Sequence, residues 1–347
     1  MKESALKNAE AAVQKAAAAL QKTAAALQET ATDLLAQKAV DLVIGYGRSS
    51  GGDVVPLFVG RVEEAQALEW NQHCTYNLVR YLTDPEVIGS FGSNRGAKKI
   101  KSGAGMEEAT AKGAGKAEAV AGKVAVVVKG CDLKSLMVLQ SENQLRRERL
   151  TVIGLPCPGV TDEAGRVLAK CESCPPEVYN PRKELCDLII GEPVQRPAGE
   201  PLSNPDNQDS TYRDVERIDA LNPAERRELW DNYFARCLRC YACRNVCPLC
   251  YCKECVFDQH DPRWVSPAAA VASNRSFHLI RAYHLAGRCV DCGECERACP
   301  VGIPLRRINR KAAKVVEESF HFRAGLDPEA KSPLVVFANE DPQEFIE

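Results

Sequence analysis

CLRCYACRNVCP runs from Cys237 to Pro248, and CVDCGECERACP from Cys289 to Pro300. Both read C-x2-C-x2-C-x3-C-P. A four-iron cubane needs four thiolates around one small body. A tight C-x2-C-x2-C loop wraps three of the irons, and the fourth thiolate has to come from elsewhere. The proline after the last cysteine ends the local structure and turns the chain in a new direction. Two copies therefore read as two 4Fe–4S clusters with crossed fourth ligands. Cluster 1 takes Cys237, Cys240, Cys243 and Cys299, and cluster 2 takes Cys289, Cys292, Cys295 and Cys247. Zinc sites show two separated C-x2-C pairs instead, so the spacing favours iron and one-electron chemistry.

The rest of the composition sets bounds. A chain of 347 residues has room for two domains. A net charge of −2 gives no reason to expect a nucleic-acid partner. No apolar stretch approaches a membrane span, and MKESALKNAE at the start has no apolar signal core. These features point to the cytoplasm. Seventeen cysteines suit a reducing compartment only if most of them bind metal. Their odd number also argues against a fully paired disulfide framework. Oxygen-labile clusters on this scale suggest an anaerobe.

Along the chain, residues 1–38 read as an alanine-rich helix. Its Leu20, Leu27 and Leu34 form a narrow seam, fit for packing on the first domain or for docking a partner subunit. Residues 39–195 read as an α/β domain with a mostly parallel sheet. Its strands are DLVIGYG, VVPLFVG (54–60), VAVVVKG (124–130) and LTVIGLP (150–156), with helices at 61–83 and 133–149. Residues 91–123, rich in Gly, Ala and Lys, read as a flexible insertion. Residues 196–221 read as a linker. Residues 222–323 read as a mainly α-helical two-cluster ferredoxin domain, because the 41 residues between Cys247 and Cys289 exceed what a minimal ferredoxin needs. An irregular tail, 324–347, completes the chain.

A third centre is legible in the α/β part. Cys131 closes strand 124–130, and Cys157 closes strand 150–156 in the phrase GLPCPG. Cys171 and Cys174 form C-x2-C, and Cys186 follows in ELCDLIIGE. Cysteines at the carboxyl ends of neighbouring parallel strands converge at one sheet edge, where open α/β folds place ligands.

These phrases, KGCD, GLPCPG and C-x2-C before DLIIGE, resemble the β-subunit family of deazaflavin-coenzyme (coenzyme F420) hydrogenases and dehydrogenases over roughly residues 40–195. The resemblance implies Cys131, Cys157, Cys171 and Cys174 as ligands of cluster 3. Cys186, where the family has a small residue, is the alternate. Fusion to a dicluster domain resembles the iron–sulfur subunits of heterodisulfide-reductase-like and formate-dehydrogenase-like complexes, and the dicluster part is similar to the small subunit of heterodisulfide reductase. Members of the F420 family bind FAD. Here GYGRSSGGD offers Gly45, Gly47, Gly51 and Gly52 as the candidate flavin contact. It lacks G-x-G-x-x-G spacing, so a glycine-rich turn between two strands is the simpler reading.

Five cysteines remain beyond three cubanes. Cys250, Cys252 and Cys255 are candidates for an extra iron–sulfur or zinc site, or are free thiols beside a cluster. Cys74 reads as a packing residue. His278 and His284 read as packing or hydrogen-bonding groups, Asp132 as a helix cap, and Trp230, Tyr233 and Phe234 as a shield for cluster 1. The leading expectation is an iron–sulfur electron-transfer subunit that relays electrons to or from a flavoprotein or iron–sulfur partner. The alternatives are a flavin-bearing subunit that reduces a deazaflavin or nicotinamide coenzyme, and a zinc-bound scaffold.

Overall fold

The computed structural model describes residues 2–84, 87, 122–194 and 212–343. The expected insertion lies outside the described residues except for its last two positions, as do residues 196–211 of the expected linker. Alanine and leucine are the strongest helix formers, and the alanine-rich start forms α1 (Lys2–Ala36). Leu27, Ala31 and Leu35 on it are buried. Gln28 Nε2 donates to the carbonyls of Gln66 at 3.0 Å and Leu68 at 2.8 Å. The second half of α1 thus packs on the α/β part, the plainer of the two uses its leucine seam allowed.

The sheet comprises β1 (Leu42–Arg48), β2 (Val54–Val59), β3 (Val124–Val128), β4 (Leu150–Gly154) and β5 (Leu188–Ile189). Their order is β2-β1-β3-β4-β5. β1 pairs with β2 as an antiparallel hairpin, while β1–β3, β3–β4 and β4–β5 are parallel. Every residue of β3 is buried, as a strand covered on both faces requires. The crossover from β3 to β4 runs through α2 (Gly130–Ser141), which starts and stops earlier than the 133–149 expected.

Residues 61–83 do not form the expected helix. They make two 3-10 turns, Val62–Ala67 and Leu78–Thr83, with an irregular stretch between them. The cause is local competition for backbone hydrogens. The Asn71 side chain accepts from His73 N at 2.8 Å and that of Asn77 from Val79 N at 3.2 Å, each bond an alternative to the helical ladder.

Past the sheet come α3 (Ala169–Glu172), α4 (Arg213–Asp219), α5 (Pro223–Ala235), α6 (Ala242–Asn245), α7 (Val271–His284), α8 (Glu294–Arg297) and α9 (Leu305–Phe320). Residues 213–219, read as linker, are instead helix α4, tied to α9 by the Arg310–Asp214 and Lys311–Asp219 ion pairs. The start of α5 is capped by its own side chains. Asn222 accepts from Ala224 N and Glu225 N, and Pro223 opens the first turn.

The cysteine-rich part shares a core with the sheet. Cys247, Leu249, Leu285, Val290 and Cys292 belong to one apolar cluster with β1, β3 and β4. Polar ties cross the same boundary. Lys134 Nζ donates to Val290 O at 2.7 Å, Arg80 Nε to Asn245 O at 2.5 Å, and Tyr251 OH to Glu142 Oε2 at 2.7 Å.

Candidate iron–sulfur centres

The two cysteine runs fold alike. In each, the residues flanking the second cysteine are left-handed: Arg239 and Tyr241 around Cys240, Asp291 and Gly293 around Cys292. Such a turn aims successive backbone N–H groups at one point. The Arg239 N–H bonds the Cys237 sulfur, and the Asp291 N–H bonds that of Cys289. One short helix follows in each run, α6 and α8, carrying Cys243 and Cys295.

The fourth cysteine of each run lies beside the other run. Cys247 lines one cavity with Cys289, Cys292 and Cys295. Cys299 stands near Cys237 and Cys243, where its charge adds to the burial that pushes both thiols up, Cys243 to about 11. Cys240 is the exposed member of that group. Each run's fourth cysteine thus neighbours cysteines of the other run.

At the carboxyl edge of the parallel strands, Cys131, Cys157, Cys171 and Cys174 line a second cavity. Cys131 sits in the first turn of α2, and Cys157 follows β4, which it extends as Leu155 N donates to Val128 O at 2.9 Å. Cys157 N in turn donates to Tyr179 O at 2.9 Å, and the Tyr179 hydroxyl donates to Cys174 O at 2.9 Å. Gly130 makes this assembly possible. A Cβ at that position would stand 1.8 Å from the Val178 carbonyl oxygen. Cys186 is elsewhere. Its sulfur lies 2.8 Å from where a Gly154 Cβ would be, and it does not line the cavity, so the structure does not bring the alternate ligand to this site.

Burial pushes Cys131 and Cys289 up to about 11, and Cys157, Cys292 and Cys295 higher. A buried thiolate needs positive charge, and binding a metal releases the thiol protons. Cations are at hand. Arg281, buried on α7, donates to Cys243 O at 3.0 Å and keeps its charge despite burial because Cys247, Cys250, Cys295 and Cys243 surround it. Lys129 and Lys170 stand beside Cys131. Further N–H···S contacts come from Val160 N to Cys171 at 3.4 Å, Ile303 N to Cys299 at 3.3 Å and Asn309 Nδ2 to Cys295 at 3.5 Å. Such bonds stabilise thiolate and tune iron–sulfur centres. The thiolate donors are of the kind that holds 4Fe–4S clusters. Among the described residues no group of three or more His, Cys, Asp or Glu is drawn in tightly enough to hold a single metal ion. A cubane is the wider body, with each thiolate on its own iron.

The remaining sequence candidates fall in different places. Cys250 shares a hydrogen bond with Cys247 that raises Cys247 and lowers Cys250. Cys255 lies by Arg244, and Cys252 is exposed, so the three occupy three different surroundings. Cys74 is buried in the sheet core, as expected of a packing residue. Asp132 accepts from Lys129 N at 3.1 Å and caps α2. Trp230 stacks on Phe234, and Phe234 stacks on His278 with ring centres 5.1 Å apart. His278 Nε2 is 3.3 Å from the Cys237 sulfur, and burial, then Arg281 and Arg239, brings the imidazole down to about 3. The sequence marked His278 only as packing or hydrogen-bonding, and Arg281 and Lys170 not at all. Nothing in their spacing sets them apart.

The glycines proposed for a flavin are structural. Gly45 and Gly47 lie within β1, where a Cβ would strike Leu68 Cδ2 at 2.4 Å and Leu57 Cδ2 at 2.7 Å. Gly51 and Gly52 form the hairpin turn to β2, closed by Ser49 N to Asp53 O at 2.9 Å. No helix follows, so the segment lacks the strand-to-helix form of a dinucleotide loop.

Comparison with known proteins agrees with the cysteine geometry. Residues 233–303 match the 4Fe-4S dicluster domain family. The chain is 35% identical over 101 residues, 29% of its length and 26% of the relative's, to the F420-dependent formate dehydrogenase subunit beta of Methanocaldococcus jannaschii. It is 37% identical over 109 residues, 31% of its length and 27% of the relative's, to the F420-dependent formate dehydrogenase 1 subunit beta of Methanococcus maripaludis. The matched stretches thus span about a quarter of each curated relative. The chain is an iron–sulfur protein similar in part to the β subunits of F420-dependent dehydrogenases, as the phrases around Cys131, Cys157 and Cys171 suggested.

Proposed function

We propose that this chain is the iron–sulfur electron-transfer subunit of a cytoplasmic, anaerobic oxidoreductase complex, with three 4Fe–4S sites in a row. The observation that carries the reading is a shared wall. Val290 and Asp291 line both the cavity of Cys247, Cys289, Cys292 and Cys295 and that of Cys131, Cys157, Cys171 and Cys174. On the other side, Cys295 registers the charge of Cys243. The order is therefore cluster 1, cluster 2, cluster 3, leading from exposed Cys240 into the α/β domain. When bound, each cluster takes up and gives back one electron.

The chain's own residues hold and insulate these sites. Phe234, Trp230 and His278 cover cluster 1, Arg281 supplies buried positive charge between clusters 1 and 2, and Lys129 and Lys170 supply it at cluster 3. The mainly helical part from 222 onward would serve as the dicluster ferredoxin domain. A flavoprotein or iron–sulfur subunit would be the partner, as befits a protein similar to β subunits of a dehydrogenase. No helix among the described residues is long and apolar enough to cross a membrane. The test is an anoxic redox titration followed by electron paramagnetic resonance. Three one-electron reductions support the relay, and two or fewer refute it.

A further inference from the structure

Lys170 and Glu294 each immediately precede a cysteine, in two different cysteine loops. Lys170 comes before Cys171, in the C-x2-C loop of cluster 3, and Glu294 before Cys295, in the loop of cluster 2. Both side chains are buried, at 5% and 2% exposure, and Lys170 Nζ stands 3.8 Å from Glu294 Oε1. Lys170 also donates to Thr75 O at 2.8 Å. Its aliphatic stem lies against Gly293, where a Cβ would meet Lys170 Cβ and Cδ at 3.3 Å. Lys170 lines the cavity of Cys131, Cys157 and Cys171, while Glu294 lines that of Cys247, Cys289 and Cys292.

Burying an ion pair is seldom a gain in stability, because desolvation offsets the attraction. The placement has a different consequence. A cation beside a redox centre favours its reduced, more anionic form, and an anion disfavours it, most strongly where water is excluded. Two other buried cations line the cluster 3 cavity, Lys129 and Lys134, and Lys134 donates to Val290 O at 2.7 Å. Lys129 and Asp132 lie 2.8 Å apart, both fully buried on the same side. Asp291 is held by Arg306 at 2.5 Å and by Arg310 at 2.5 Å. Arg297 reaches Glu294 Oε2 at 2.7 Å, but its side chain is 23% exposed, so water screens part of its charge. The Lys170–Glu294 pair is divided between the two sites, positive toward one and negative toward the other.

We propose that Lys170 and Glu294 form a buried charge pair that shifts the two sites in opposite senses, raising the potential of cluster 3 and lowering that of cluster 2. The inference rests on the reading above that both cavities hold 4Fe–4S clusters. With both sites loaded, Lys170 would favour the electron on cluster 3 and Glu294 would disfavour it on cluster 2, with no bond changed and no proton moved.

The test uses Lys170→Met and Glu294→Gln in the full chain, purified without oxygen. Iron and sulfide are counted, and each cluster's midpoint potential is read by paramagnetic resonance. Lys170→Met lowers the cluster 3 midpoint and Glu294→Gln raises that of cluster 2. Each shifts the gap between the two midpoints by at least tenfold in the equilibrium constant, about 59 mV for one electron. Lys170→Arg keeps the gap. A merely structural role would cost iron without moving the potentials of the clusters that remain. If Lys170→Met fails to assemble, Glu294→Gln decides alone. Unchanged gaps in fully loaded variants overturn the charge-pair role and leave the relay standing. About eight irons in the unsubstituted chain, the sum for two cubanes, overturns the relay and the charge pair together.

Discussion

Replacing Gly130 with alanine should remove cluster 3 and spare the other two. A Cβ there would stand 1.8 Å from the Val178 carbonyl oxygen and 2.7 Å from its carbon, whereas real Cβ atoms stay beyond 3.0 Å. The carbonyl must therefore withdraw by at least 1.2 Å. Both obstructing atoms are backbone, so no rotamer relieves the clash. The next residue is Tyr179, which holds Cys157 through its carbonyl and Cys174 through its hydroxyl, each at 2.9 Å. Metal sites tolerate displacements of about 0.2 Å. A 1.2 Å displacement next to Tyr179 should draw Cys157 and Cys174 out of register with Cys131 and Cys171. Overpacking costs about 1–3 kcal/mol, against about 5–15 kcal/mol for a typical fold, so the chain should still fold. The assay is iron and acid-labile sulfide per chain with a paramagnetic resonance spectrum. Iron should fall from about twelve to about eight, with the signals of clusters 1 and 2 kept. About twelve irons and an unaltered spectrum would refute the argument that this close approach registers the site.

Cys247→Ser should damage the centre of Cys289, Cys292 and Cys295 rather than that of its own run, as read by which resonance signal disappears; loss of the cluster 1 signal alone would reverse the crossed assignment. Cys186→Ala should leave iron content unchanged, whereas Cys174→Ala should lower it by about four irons. Lys129→Met leaves Asp132 buried without its cation and should cost about 3–5 kcal/mol in denaturant unfolding, with most of it recovered in the double variant Lys129→Met/Asp132→Leu. His278→Phe keeps the stack on Phe234 but removes the nitrogen 3.3 Å from the Cys237 sulfur. The cluster 1 midpoint should fall while its iron stays, and an unmoved midpoint would mean that the contact carries no hydrogen bond to the cluster ligand.

Much of this was legible in the residues. VAVVV and LTVIG announce buried strands, because an unbroken β-branched run has no polar face to turn outward. The position of Cys131 and Cys157 at their carboxyl ends then brings both to one sheet edge. The spacing of the cysteine runs is what proposes a crossed grouping. What escaped depends on tertiary context. The apolar pattern of 61–83 suits a helix until Asn71 and Asn77 bond the backbone. Gly45 and Gly47 look like a loop signature, yet they serve close packing inside β1. Cys186 follows the C-x2-C at a short interval, yet it packs under Gly154. Lys170 and Glu294 are more than a hundred residues apart, and only the fold shows that they face each other.

The most direct test of the three-site relay is the composition of the chain purified without oxygen: iron, zinc, acid-labile sulfide and flavin on one sample with its absorption spectrum. The account predicts about twelve irons with matching sulfide, the sum for three cubanes, and neither zinc nor flavin. About eight irons with a flavin band would contradict it, and would favour a subunit that reduces a coenzyme on its own flavin.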